Sequence, residues 1–344
     1  MASSPTTLAG QAYVQPMATW KVMLGSRDLT DLFDPRLISV RVELWRQEKA
    51  DTLEIEIHDA DGQVVLPPMD ATLTVAMGWL RGTGVTPGLV ALGSFVVDDV
   101  SWAGPPDRVT IKAHSADLRD NFRTRQTRTW NGQTLGAIAA RIAAENGLVA
   151  RCHPDLAATL VDAAEQANQS DMEFLRDLGR RYDAVATVKA GCLIFAPVGA
   201  ATTATGASLP TLPLTRQMCR SWSFSRNARE GTYQGAEANY HNQNAAARAL
   251  HQEGSAPRRR LKRVYGSAAA AKAAARAEHQ RLKRAAARFE VTLSQGNAQI
   301  APGLHYTPQG FKREVDATTW LIAHVTHEMG PGGLMTEVEM EVGG

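Results

Sequence analysis

Several groups of residues carry the side chains needed for chemistry. His324, His327 and Glu328 lie together in "AHVTHE", a donor set that suits zinc. Zinc sites of the HExxH kind need a helix, where positions i and i+4 share a face. "AHVTHE" is flanked by strand-like sequence, and on a strand residues three apart point to opposite sides. The spacing therefore speaks against a metal centre. Glu54, Glu56 and His58 share one face in "DTLEIEIHDADG", and two carboxylates can act as acid and base. Their strict alternation with Leu53, Ile55 and Ile57 instead describes the polar side of a half-buried strand: an outer face, a lumen wall or a subunit contact. Cys192 and His153 would make a thiol and its base. Cys192, however, stands between Gly191 and Leu193 in an apolar run, where cysteine behaves as a small hydrophobe.

The stretch "SDMEFLRDLGRRYDAVATVKAGCLIFAP", residues 170–197, is dense in acids and bases. Ser170 is an N-cap residue and Glu173 stands three positions on, the capping-box pattern. Phe174, Leu175, Leu178 and Tyr182 form an apolar stripe. Asp171, Glu173, Arg176, Asp177, Arg180 and Arg181 lie off that stripe and are expected on a solvated face, so the helix reads as structural. Arg258, Arg259, Arg260, Lys262 and Arg263 form a basic run, and Lys272, Arg276, Arg281, Lys283, Arg284 and Arg288 follow on an alanine-rich helix. Nucleic acid is one partner for such charge. Aromatics able to stack on bases are nearly absent, Tyr265 apart, and alanine faces permit close packing on a sheet. Protein contact or a solvated face is the favoured reading.

The elements that must carry these residues change character along the chain. Residues 18–115 read as antiparallel strands with short turns, a sandwich or small barrel. "WNGQTLGAIAARIAAENGLVARC" begins with a glycine turn, continues with apolar residues at helical spacing, and stops at Asn146-Gly147. Together with 170–198 it makes a small α/β unit. "GAATTATGASLPTLPL" reads as a linker or exposed loop. Strand character returns after it, interrupted by the basic helix, and ends in "TTWLIAHVTHEM" and "LMTEVEMEV".

The chain has 344 residues, a formal net charge of +2 and three cysteines without regular spacing. That length suits two to four domains. The charge excludes a whole-molecule polyanion binder, and the cysteines argue against a zinc ribbon or disulfide framework and suit a reducing compartment. The first residues show no secretory signal. No stretch approaches the roughly 20 apolar residues of a membrane span.

In order and spacing, "LGSFVVDDVSWAGPPDRVTIKAHSADLR" (92–119), "TRTWNGQTLGAIAARIAAENGL" (127–148), "QANQSDMEFLRDLGRRYDAVATVKAGCLIFAP" (166–197), "YGSAAAAKAAARAE" (265–278) and "TTWLIAHVTHEMGPGGLMTEVEME" (318–341) resemble the late-control-D family of phage tail proteins. These are baseplate hubs of contractile tails, similar to the N-terminal part of type VI secretion spikes. The resemblance implies a β-rich α+β fold: two tail-tube-like β-barrel domains, with a small α/β, LysM-like domain between them. The expected divisions are 1–116, 117–198, a linker 199–215, and 216–344 with a basic helix inserted at 267–289. "WNGQTLGAIA" resembles a LysM opening, with Gln133 where that motif favours Asp.

The implied function is structural and non-enzymatic, with no cofactor and no metal. A homotrimer would match a six-fold tube to a three-fold spike. Its partners would be the spike protein, the tail tube protein, the tape-measure protein and other baseplate proteins. DNA would only pass through the lumen, and no stable membrane insertion is expected. The chain would be made in the host bacterial cytoplasm and built into the baseplate of a virion or tailocin. Ring contacts are expected from Leu53, Ile55, Ile57, Phe95, Val97, Trp320 and Ile322, and interaction also from Arg258, Arg259 and Arg260, while Glu54, Glu56 and Lys112 are candidates for the lumen. Two other classes remain: a cell-wall binder or hydrolase acting through the LysM-like domain, and a nucleic-acid-binding regulator.

Overall fold

The computed structural model describes residues 13–47, 49–115, 122, 124–189, 191–226, 233–242 and 247–343. The first region is built of β1 (Met17–Leu24), β2 (Arg27–Asp28), the short helix α1 (Thr30–Phe33), β3 (Leu37–Trp45), β4 (Thr52–His58), β5 (Thr72–Arg81), β6 (Gly88–Ala103) and β7 (Arg108–Ser115). The period-two pattern does what it dictates. Leu53, Ile55 and Ile57 of β4 face inward, beside Val42 and Val40 of β3 and Ile111 and Val109 of β7. Trp20, Val22, Leu73, Val75 and Met77 complete this core.

The middle region follows as β8 (Arg125–Thr134), α2 (Leu135–Glu145), β9 (Val149–Cys152), α3 (Pro154–Ala157), β10 (Leu160–Ser170), α4 (Asp171–Tyr182), β11 (Ala184–Lys189) and β12 (Cys192–Pro197). Strands β8 and β10 pair with each other, and β11-β12-β9 form a second small sheet. Helices α2 and α4 begin on capping side chains. Thr134 Oγ1 accepts from Ala137 N at 3.2 Å, and Ser170 Oγ accepts from Glu173 N at 3.2 Å. Helix α2 ends at Asn146-Gly147, with Gly147 at φ 66°, a left-handed stop that glycine adopts without strain. The expected glycine turn before α2 is instead part of β8, with Gly132 inside the strand.

The last region contains β13 (Thr211–Thr215), β14 (Cys219–Arg226), β15 (Gly235–Asn242), β16 (Ala247–Gly254), β17 (Arg258–Tyr265), α5 (Ala268–Ala285), β18 (Ala287–Leu293), β19 (His305–Gln309), α6 (Arg313–Asp316), β20 (Trp320–Gly330) and β21 (Gly333–Val342). The expected linker 199–215 ends in a strand, since β13 runs parallel to β19. Helix α5 stops at Ala285 rather than 289, because Ala287 already belongs to β18. The inserted piece is also larger than a helix. Strands β16-β15-β17 form their own sheet, and α5 packs on it through Ala271 and Ala275 against Ala236 and Ala238. Side chains this small let the helix approach the sheet closely.

The two β-regions do not form separate sheets. One thirteen-stranded sheet runs β14-β18-β21-β20-β3-β4-β7-β6-β5-β1-β2, with β13 and β19 attached beside β20. Within it a four-strand unit occurs twice. Taken in chain order, β3, β4, β6 and β7 lie side by side as first, second, fourth, third. Strands β14, β18, β20 and β21 do the same. The irregularities coincide as well. Register slips between Leu37 and Ser39 on β3, and between Cys219 and Ser221 on β14. It slips again between Val97 and Asp99 on β6, and between Ile322 and His324 on β20. A bulge is a specified feature of a strand rather than a defect, so two bulges at matching places mark the units as structural repeats. The units meet where β20 pairs antiparallel with β3, His324 opposite Trp45 through Met329 opposite Val40.

Candidate assembly surface

Of the residues expected to contact neighbouring subunits, Leu53, Ile55, Ile57, Phe95, Val97, Trp320 and Ile322 are all buried within the chain's own core. Their side chains pack into the two apolar cores of the β-regions and are not available to a partner. The alternation marks an apolar face correctly, but that face is covered internally. Arg258, Arg259 and Arg260 lie on β17, an edge strand of the small sheet. Arg259 pairs with Glu278 at 3.1 Å and Arg260 with Glu237 at 2.6 Å, while Arg258 Nε donates to Gly254 O at 3.0 Å. The run is therefore largely engaged within the chain.

The polar face of the long sheet is a ladder of opposed charges. Arg41 stands opposite Glu54, Glu54 opposite Lys112, and Lys112 opposite Asp99. Arg41 also reaches Glu328 of β20 at 3.5 Å, and Arg108 reaches Glu56 at 3.2 Å. Glu43, Glu290, Glu337 and Glu339 occupy the same face, so carboxylates outnumber bases across it. Glu54 and Glu56 are thus rungs of a charged surface rather than a catalytic pair.

The remaining candidates have structural partners. His324 stacks on Trp45 with ring centroids 3.7 Å apart, across the β20–β3 junction. His327 is fully buried, with Nδ1 3.0 Å from Thr336 Oγ1 and Nε2 donating to Ile300 O at 3.1 Å. Burial holds its pKa down to about 4, so the ring is neutral. Among the described residues no cluster of three or more His, Cys, Asp or Glu is placed to hold a metal. Strand β9 sets Cys152 beside Phe195, and His153 N bonds Phe195 O, which leaves His153 about 10 Å along the strand from Cys192. His153 is occupied by Thr202 Oγ1 at 2.8 Å. Burial raises the Cys219 thiol to about 11 and moves Cys152 upward too, away from a nucleophilic thiolate. A groove of about 840 Å³ where the two β-regions adjoin is lined by Trp79, Met218, Asn297 and Tyr306, with no carboxylate, histidine or cysteine.

Two side-chain nodes escaped the sequence pattern. Asp171, expected on the solvated face of α4, is buried and bound by Arg128, by Gln166 Nε2 at 2.9 Å and by Asn146 Nδ2 at 3.1 Å. Its oxygens are filled by donors from β8, β10 and the residue that caps the end of α2, so it fastens the middle region. Arg284, expected on the charged face of α5, is buried. It grips Asp183 with both terminal nitrogens, and its Nε lies 3.2 Å from Glu341. Glu341 in turn meets Arg46 at 2.8 Å. This node ties α5, the end of α4, β21 and the chain just beyond β3. Its members are separated by up to hundreds of residues, and no local periodicity could reveal it.

Comparison with solved structures finds the same fold in tail and secretion proteins. A tail protein of Neisseria meningitidis MC58 matches with a TM-score of 0.69 at 10% identity, over 94% of this chain and 96% of that one. An Escherichia coli component of the type VI secretion system matches with a TM-score of 0.55 at 12% identity, over 89% of this chain and 73% of the other. By fold the chain thus stands among phage-tail and spike-like proteins. It belongs to the phage tail baseplate hub (GPD) family, whose model matches residues 50–332. The probable baseplate hub protein of Escherichia phage P2 is 34% identical over 94% of this chain and 92% of its own length.

Proposed function

We propose that the chain is the structural hub of a contractile-tail baseplate, a homotrimer that joins a six-fold tail tube to a three-fold spike. The observation that carries this reading is the doubled sheet. One chain contains two units of the same strand order, already joined edge to edge. Three chains around an axis then present six similar units while keeping true three-fold symmetry. The hub works through shape and charge rather than catalysis. Its partners are the spike protein, tail tube protein, tape-measure protein and other baseplate proteins, and it is assembled into the baseplate after synthesis in the host cytoplasm. The ladder face with Glu54, Glu56 and Lys112 lines the lumen. A wall with excess carboxylates repels DNA phosphates within about 8–10 Å at physiological salt, so DNA passes without adhering.

Light scattering on the purified chain, alone and mixed with its spike protein, tests the reading. The expected mass is three times the 37.2 kDa of the chain. A monomer in both conditions would overturn it.

A further inference from the structure

We infer that Val100–Ala103 of β6 pairs antiparallel with Ser223–Arg226 of β14 in a second copy of the chain. This rests on the ring reading above, and adds the strands and the register that would close the ring.

The internal junction is the template. In the repeated unit, β20 corresponds to β6 and β14 corresponds to β3, with the bulges fixing the alignment residue by residue. Thus Val100, Ser101 and Trp102 match Val325, Thr326 and His327. Likewise Phe224, Ser225 and Arg226 match Val42, Glu43 and Leu44. Inside the chain, Val325, Thr326 and His327 stand opposite Leu44, Glu43 and Val42. Transferring that register sets Val100 opposite Arg226, Ser101 opposite Ser225, and Trp102 opposite Phe224.

Both strands have the edges this requires among the described residues. There, β5 and the loop before it pair with β6 only up to Val97, leaving one side of the residues beyond it without a partner strand, and β14 pairs with β18 alone. Burial at matched positions differs in the way the template predicts. His327 is 0% exposed, whereas Trp102 is 60% exposed. Val42 is buried, whereas Phe224 is only half-buried. Trp102 and Phe224 both lie on the apolar face, opposite Val109 and Phe289, so the pairing would carry the core across the joint. Charge selects this match over self-pairing. Strand β6 contains Asp98 and Asp99 and no base, while β14 contains Arg220 and Arg226 and no acid. Because the two edges differ, the contact is head-to-tail and generates a ring.

Disulfide trapping tests this. Directly opposite antiparallel residues have Cα atoms about 4.5–5.5 Å apart, within disulfide range. Ser101 and Ser225 sit at the two ends of the eight strands from β14 to β6, so a bond between Ser101→Cys and Ser225→Cys must join different copies. The full-length double variant is expected to give a covalently closed oligomer under mild oxidation. Each single variant controls for the native Cys152, Cys192 and Cys219. Moving the second cysteine to Ser223→Cys puts the pair on a diagonal roughly 7–8 Å apart, outside disulfide range, and should lower the yield. Trp102→Asp should raise the concentration needed for assembly at least about tenfold while leaving the monomer's melting unchanged. An oligomer of native mass without the 101–225 bond would overturn the pairing but leave the ring reading intact. Equal yields from the two cysteine pairs would overturn the register. A chain that stays monomeric and uncrosslinked would overturn both.

Discussion

Replacing Arg284 with methionine removes the charge and leaves a stem of similar length. Asp183 loses two bonds and Glu341 loses a neighbour at 3.2 Å, although Arg46 still reaches Glu341 at 2.8 Å. Stripping one partner from a fully buried pair costs about 3–5 kcal/mol, because a charge is left without compensation. Here the side chains of Asp183 and Glu341 retain 22% and 23% exposure, so water partly replaces the guanidinium and the expected loss is about 2–3 kcal/mol. Urea unfolding at pH 7 should show the midpoint falling by the matching amount with an unchanged slope. The loss should persist in 1 M salt, since a buried pair is weakly screened. Adding Asp183→Asn should return part of the lost stability, as the orphaned charge is then gone. A change below about 0.5 kcal/mol for Arg284→Met would refute the argument, since that is the scale of ordinary surface substitutions.

Other outcomes follow from the same structure. Asp171→Ala should cost about 3 kcal/mol by removing the buried carboxylate that Arg128, Gln166 and Asn146 share, against about 1 kcal/mol for the cap change Ser170→Ala; chemical unfolding of both variants compares them. Ile55→Ala should lower monomer stability by about 2–5 kcal/mol, measured by urea titration, because the side chain is core rather than interface. His327 binds a proton in the unfolded chain below its ordinary value of 6.5 but in the folded chain only near 4. Its contribution is therefore full above pH 6.5 and lost as pH falls toward 4, a drop of about 3 kcal/mol that His327→Gln should remove from the stability–pH curve. Arg260→Ala, at an exposed ion pair, should change melting stability by less than about 1 kcal/mol.

What the sequence discloses and conceals has physical causes. Alternation around Leu53, Ile55 and Ile57 and the caps at Thr134 and Ser170 are local, so strands, helices and the order of regions are readable. Alternation tells which face is apolar, but not whether the chain itself covers it, and for this reason core residues read as contacts. Thr211–Thr215 contains Pro213 and is too short for a period, so a parallel strand resembles a linker. The repeat shares strand order and bulges but little residue identity: Arg41 corresponds to Ser223 and Trp102 to His327. Its signature is geometric and appears only once register is known.

The β20–β3 junction also constrains the order of events during synthesis. Strand β3 emerges from the ribosome early, and its partner β20 begins only at Trp320. Through nearly the whole of translation the nascent chain therefore carries an unpaired β3 edge, open to any strand that matches it. Premature release before residue 320 would free a fragment whose open edge could accept β20 from an intact copy. Such a fragment would displace the intact copy's own β3 and poison assembly, so the joint that makes one chain serve as two units also makes complete synthesis a condition of clean assembly.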